Sequence, residues 1–104
     1  MATAVLAPRA RRDLLEAIRW IARDNTAAAI GLRVAVVEAA RRIGNHPYVG
    51  VVRPELAGEP VRFLMLTGYP YVIVYDADNS PPLILRILHG ARDLPDILRG
   101  LMRP

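Results

Sequence analysis

His89 closes the apolar run Leu83-Ile84-Leu85-Arg86-Ile87-Leu88 and is followed at once by Gly90, Arg92 and Asp93. An imidazole beside guanidinium groups can move a proton while neighbouring cations hold developing negative charge. The same residue types also make the closing corner of a small fold, with a ring nitrogen bonded to a carbonyl or to Asp93. The residues favour the corner, and Arg92-Asp93 reads as a structural pair or a helix cap. The other histidine, His46, precedes Pro47 and a turn at Gly50, where a ring more often caps or packs than ligates.

Further catalytic equipment is sparse. Ser80 is the only serine and lies in a proline-rich turn, so a Ser-His-Asp triad has no support. Asp13, Glu16 and Glu38 read as solvated charge on helix surfaces. Gly44, Gly50 and Gly58 lack the strand-to-helix context of a nucleotide-binding loop. With no cysteine and only two histidines, thiol chemistry and disulfides are excluded and a structural zinc site is unexpected. Nothing in the sequence calls for a metal or a cofactor.

The elements that must position these residues follow from periodicity. At 104 residues, a single domain over 1–104 is expected. Thr3 to Leu6 suits a short strand, and Pro8 sits where a first helical turn tolerates it. From Arg9, Leu14, Leu15, Ile18, Ile21 and Ala22 recur at the helical period, predicting an amphipathic helix that ends near Asp24-Asn25. A second helix is predicted from Thr26 as N-cap to Gly44 as a left-handed C-terminal residue. Its stripe is Leu32, Val36, Ala39, Ala40 and Ile43, widened by Ile30, Val34 and Val37. So short a turn between two helices makes an antiparallel hairpin.

Asn45 to Pro60 holds three prolines and two glycines and reads as an ordered surface loop. Three strands follow, Val61–Leu66, Tyr71–Tyr75 and Leu83–His89, joined by turn-rich connections as an antiparallel meander. A last short helix is expected from about Asp93 to Met102, with Pro95 in its first turn. The fold class is therefore α+β: an N-terminal strand and a helical hairpin packed on an antiparallel sheet, with a short C-terminal helix. Alternation puts Arg62, Leu64 and Leu66 on one side of their strand. It sets Ile84, Arg86 and Leu88 against Leu83, Leu85, Ile87 and His89. Arg62 and Arg86 are expected to point away from the helices, on an open face both apolar and cationic. Trp20 falls at the rim of the first helix, either as packing for the tail helix or as an anchor for a partner.

All fourteen basic residues are arginine, and the formal charge is +4 with a pI near 10.3. An all-arginine set follows from GC-rich coding as readily as from a need for guanidinium forks, but the charge itself favours an acidic partner. The N-terminus lacks the pattern of a signal peptide and no apolar run reaches membrane-spanning length, so a cytoplasmic location is expected.

Three stretches, "LAPRARRDLLEAIRWIARDN", "RRIGNHPYVGVVRPEL" and "RILHGARDLPDIL", lie in this order and at these distances. Together they closely resemble the ParE branch of the RelE/ParE toxin superfamily, over about Leu6 to Leu98. The resemblance implies a bacterial type II toxin, neutralised by a ParD-like antitoxin whose C-terminal segment wraps the hairpin and the sheet, as a hetero-oligomer, a heterotetramer. It implies DNA gyrase as the target, with cleaved DNA complexes stabilised and no catalytic chemistry by the toxin. On that reading target contact falls to Arg62, Arg86, Arg92, Leu94, Leu98 and Arg99, and antitoxin contact to Trp20, Leu64, Leu66, Arg62 and Arg86. The alternative is a RelE-like ribosome-dependent messenger-RNA endoribonuclease using His89 with Arg62 and Arg86. The sequence departs from that pattern, since no lysine joins Arg62 and no tyrosine follows Tyr75.

Overall fold

The computed structural model describes residues 3–93. The expected last helix, with Leu94, Leu98 and Arg99, lies outside the described residues. In chain order the elements are β1 (Val5–Leu6), α1 (Pro8–Ala22), α2 (Thr26–Asn45), β2 (Val61–Met65), β3 (Tyr71–Asp76) and β4 (Leu83–His89). The hairpin α1–α2 covers one face of a four-stranded sheet of order β1-β4-β3-β2.

The meander β2–β3–β4 is antiparallel as expected, but β1 runs parallel to β4, pairing Val5 with Leu83 and Leu6 with Ile84. The sheet is therefore mixed. A strand that precedes the helices and enters beside the last strand by way of that long crossover can run parallel to it.

Pro8 opens α1, where its missing N–H costs no helical bond. The N-cap of α2 is Asn25 rather than Thr26: its side-chain oxygen accepts from the Ala28 N–H at 3.0 Å. Gly44 stays helical, and the helix ends at Asn45 with His46 as cap. Gly68, in the β2–β3 turn, has φ +82°, a conformation that glycine adopts without a Cβ penalty.

Beneath the hairpin, Leu32, Val36, Ala39, Ala40 and Ile43 of α2 and Ala10 and Ala17 of α1 meet Tyr71, Ile73, Tyr75, Ile84 and Ile87. The three alanines Ala10, Ala17 and Ala40 are small enough to bring the helices close to each other and to the sheet. Gly31 serves the same end. Any Cβ there would collide with the Tyr69 hydroxyl, which donates to the Ala28 carbonyl at 2.9 Å and ties the β2–β3 turn to α2.

Two expectations about the sheet faces are corrected. Arg62 sits opposite Tyr75, whose ring belongs to the helix-side core, so Arg62, Leu64 and Leu66 face the helices rather than away. A bulge where Val74 pairs with Arg86 and Tyr75 with Ile84 leaves Leu85 as an extra residue in β4. Ile84 thereby shares the helix side with Ile87, and strict alternation fails. The far face is not open either: Leu56, from the loop before β2, is buried there against Phe63, Val72, Val74 and Leu88.

Candidate functional site

The 46–60 loop is fixed by one buried tyrosine. The Tyr75 hydroxyl donates to the Pro47 carbonyl at 2.7 Å and accepts from the Gly50 N–H at 2.8 Å. Burial pushes its phenol above the ordinary value of 10, against the Gly50 hydrogen bond and the charges of Arg62 and Arg42. It remains a neutral donor across the physiological range. Val51 then pairs with Phe63 at the outer edge of β2.

Arg62 is spent on the same loop. One guanidinium nitrogen donates to the Gly50 carbonyl at 2.8 Å and to the Tyr48 carbonyl at 3.4 Å, and the group lies 4.9 Å over the Tyr48 ring. Its side chain is 20% exposed, with Glu59 at 3.8 Å. It is a clasp for the loop, not a free cation on an open face.

Arg86 is held more tightly. Because β1 reaches only Leu83 and Ile84, the remainder of the β4 edge lies against α1. Asp13 of α1 accepts there from Arg86 Nε at 2.7 Å, from Arg86 Nη2 at 3.1 Å and from the Ile87 N–H at 3.0 Å. The carboxylate thus takes the place of a neighbouring strand's carbonyl while it grips the guanidinium with a two-pronged contact. Asp13 is 9% and Arg86 23% exposed, so reading Asp13 as solvated charge was incorrect. The bond to Asp13 raises the Arg86 pKa further above its ordinary range.

His89 forms the corner that its sequence suggested. Its Nδ1 accepts from the Arg92 N–H at 3.1 Å, and its ring stands edge-on to Tyr71 at 5.5 Å. The bonded partner is an amide N–H and not a carbonyl, so Nδ1 is the acceptor nitrogen. The His89 N–H donates to Asp93 at 3.0 Å, and Arg92 pairs with Asp93 at 3.0 Å. Burial alone would raise the Asp93 carboxyl. The Arg92 contact and the His89 N–H together hold it below its ordinary 3.8. Arg92 is itself exposed at the surface.

Arg62, Arg86 and His89, grouped by the ribonuclease alternative, each have different local partners. Arg62, opposite Tyr75, reaches the 48–50 loop, whereas Arg86, opposite Val74, turns to Asp13 of α1 at the β4 edge. His89 is turned to its own corner. Each of the three is committed to structural bonds. Of the expected antitoxin contacts, Leu66 is 6% exposed and belongs to the core, and Leu64 is half-buried. Trp20 is 58% exposed, its ring stacked by Arg23 at 5.3 Å, and it lines a small cavity with Tyr71, Ile87 and Arg92.

What the molecule does present is an apolar groove along the hairpin. Leu14, Leu15, Ile18, Ala22, Ala29 and Ile30 line a cavity of about 580 Å³, walled by Arg11 and Arg33. A second cavity of about 490 Å³ shares Arg11, Leu14 and Arg33 and continues to Val5, Val36 and Val37. Ile30, Val34 and Val37, expected to widen the buried stripe of α2, are exposed, as is Leu15. The missed signal was their own spacing: i, i+4, i+7 is a complete second row, and one helix resting on one sheet cannot bury two.

The described residues thus form an α+β hairpin-on-sheet protein whose sheet arginines are tied down and whose hairpin carries an exposed apolar groove. The chain matches, over residues 4–94, the family described as ParE toxin of type II toxin-antitoxin system, parDE, and it belongs to that family. A solved structure titled "Chromosomal ParDE TA system from P. aeruginosa" superposes with a TM-score of 0.70 at 21% identity, over 86% of this chain and 96% of that one. At that identity the likeness concerns the fold. No curated protein matches the sequence. None of the helices among the described residues is long and apolar enough to cross a membrane.

Proposed function

We propose that this ParE-family toxin arrests growth by binding DNA gyrase and stabilising cleaved DNA complexes, without chemistry of its own. The observation that carries the reading is that Arg62 and Arg86 are held by different parts of the fold, Arg62 by the 48–50 loop and Arg86 by Asp13 of α1. Phosphodiester cleavage needs cations converging on one phosphate, and this geometry withholds them. Target contact then falls on the exposed Arg92 and the chain beyond it rather than on Arg62 and Arg86.

The antitoxin in this reading is ParD-like and assembles with the toxin as a heterotetramer. Its amphipathic, acidic segment fills the hairpin groove, where apolar side chains meet Leu15, Ile18, Ile30 and Val37 and carboxylates meet Arg11 and Arg33. Trp20 stays a candidate anchor outside the groove.

The test is a gyrase reaction on plasmid DNA, scored for linear product after detergent and protease. Linear DNA that requires both gyrase and the toxin is expected. A folded toxin that yields none, and instead creates new ends in ribosome-bound messenger RNA, would overturn the proposal.

A further inference from the structure

The net charge of this protein is unevenly distributed. Between Pro8 and Asn45 eight arginines face four carboxylates; between His46 and Asp93 four arginines face five. The helical layer therefore carries all of the formal +4, and the sheet with its loops is slightly acidic.

Within that layer one row of cations stands apart. Arg12, Arg19 and Arg23 are spaced at i, i+7 and i+11, which puts them within about 20° of one line along α1 and spans about 16 Å. Arg23 just past the helix end keeps helical dihedrals, φ −57° and ψ −37°, so the row is continuous. All three are exposed, and the buried Ala10 and Ala17 lie on the opposite side of the helix. No ion pair among the described residues engages any of them, nor Arg11, Arg33 and Arg42, which stand off this line, whereas Arg9, Arg41, Arg53, Arg62, Arg86 and Arg92 are all paired. Glu16 lies beside the row on α1, and Asp24 directly follows Arg23.

We infer that this row is a contact for the sugar–phosphate backbone of double-stranded DNA. The inference rests on the gyrase reading, in which the toxin works at a DNA duplex. It adds that the toxin itself touches the DNA through the outer face of α1. Three exposed guanidinium groups without an ion-pair partner, Arg23 resting on the Trp20 ring at 5.3 Å, suit a line of phosphates, and the row offers only charge, so the contact is independent of base sequence. The row borders the hairpin groove, through Leu15 and Arg11 on the same helix. An acidic segment seated in that groove would oppose DNA on the row, so antitoxin and DNA would compete for this face of the molecule.

The experiment is fluorescence anisotropy of a labelled 20-base-pair duplex with the full-length toxin across a salt series, without gyrase. Three phosphates neutralised give a slope of log K against log salt of about −2.7, an approximately 40-fold loss of affinity from 50 to 200 mM. The triple variant Arg12→Ala/Arg19→Ala/Arg23→Ala should lose that slope while its circular dichroism is unchanged, since alanine favours the helix. Glu16→Gln, which removes the local repulsion, should tighten binding. Arg53→Ala, on the loop side, should leave the slope as it is. Wild-type toxin that fails to bind at 50 mM salt, or a folded triple variant with wild-type slope and affinity, overturns the inference. Linear DNA from wild-type toxin with gyrase reports separately on the function proposed above, so the two can fail independently.

Discussion

Removing the Asp13 carboxylate should be the most damaging single polar change in the described fold. In Asp13→Ala, Arg86 loses both hydrogen bonds and the Ile87 N–H loses its only acceptor at the β4 edge. An amide left unsatisfied in a part-buried setting costs about 1–3 kcal/mol, and a charge-assisted pair about as much again. Arg86 is nearly a quarter exposed and recovers some hydration, which brings the total to about 3 kcal/mol. Asp13→Asn keeps one acceptor oxygen and should cost about half of that. Urea unfolding at neutral pH would measure both, with the m-value unchanged if only the native contact is affected. A double-mutant cycle with Arg86→Ala should return a coupling energy above about 1.5 kcal/mol. The exposed Arg53–Glu55 pair, at a similar 2.8 Å, is the control, and Glu55→Ala should leave the urea midpoint unchanged. A loss below about 0.5 kcal/mol in Asp13→Ala, or a coupling energy near zero, would refute the role assigned to Asp13.

Three further outcomes follow from the same contacts. Tyr75→Phe deletes both bonds that anchor the 47–50 loop and should destabilise by about 1–3 kcal/mol in urea unfolding, with faster proteolysis between Tyr48 and Glu55. Asp93 titrates below its ordinary 3.8 in the folded chain, so its contribution to stability is complete above that value and is lost as the pH falls through the lower native one. Urea midpoints between pH 5 and pH 2.5 should show that acid limb, and Asp93→Asn should flatten it. In the groove, Ile30→Asp changes an exposed side chain and should leave folding within about 0.5 kcal/mol of wild type. It should nevertheless abolish rescue of growth by co-expressed antitoxin, scored as colonies on inducing plates.

Local patterns made the elements legible. Helix periodicity places α1 and α2 to within three residues, and β4 spans Leu83–His89 as its apolar run predicts. The corner at His89 was also visible, because Gly90 and the Arg92-Asp93 pair are adjacent in the chain. Faces were harder, since one bulged residue at Leu85 reverses every orientation before it, and no local preference marks the bulge. The partnership of Asp13 with Arg86 spans 73 residues and exists only because β1 is two residues long. Which arginines are free and which are committed is a property of that tertiary arrangement. Composition could count them but not sort them.

Titrating the toxin against a fixed amount of gyrase and plasmid separates action by contact from action by turnover. Linear DNA should rise with the ratio of toxin to gyrase and then plateau, and His89→Gln should follow the same curve as wild type. Cleavage that keeps accumulating at substoichiometric toxin, or that disappears in a folded His89→Gln variant, would contradict the account.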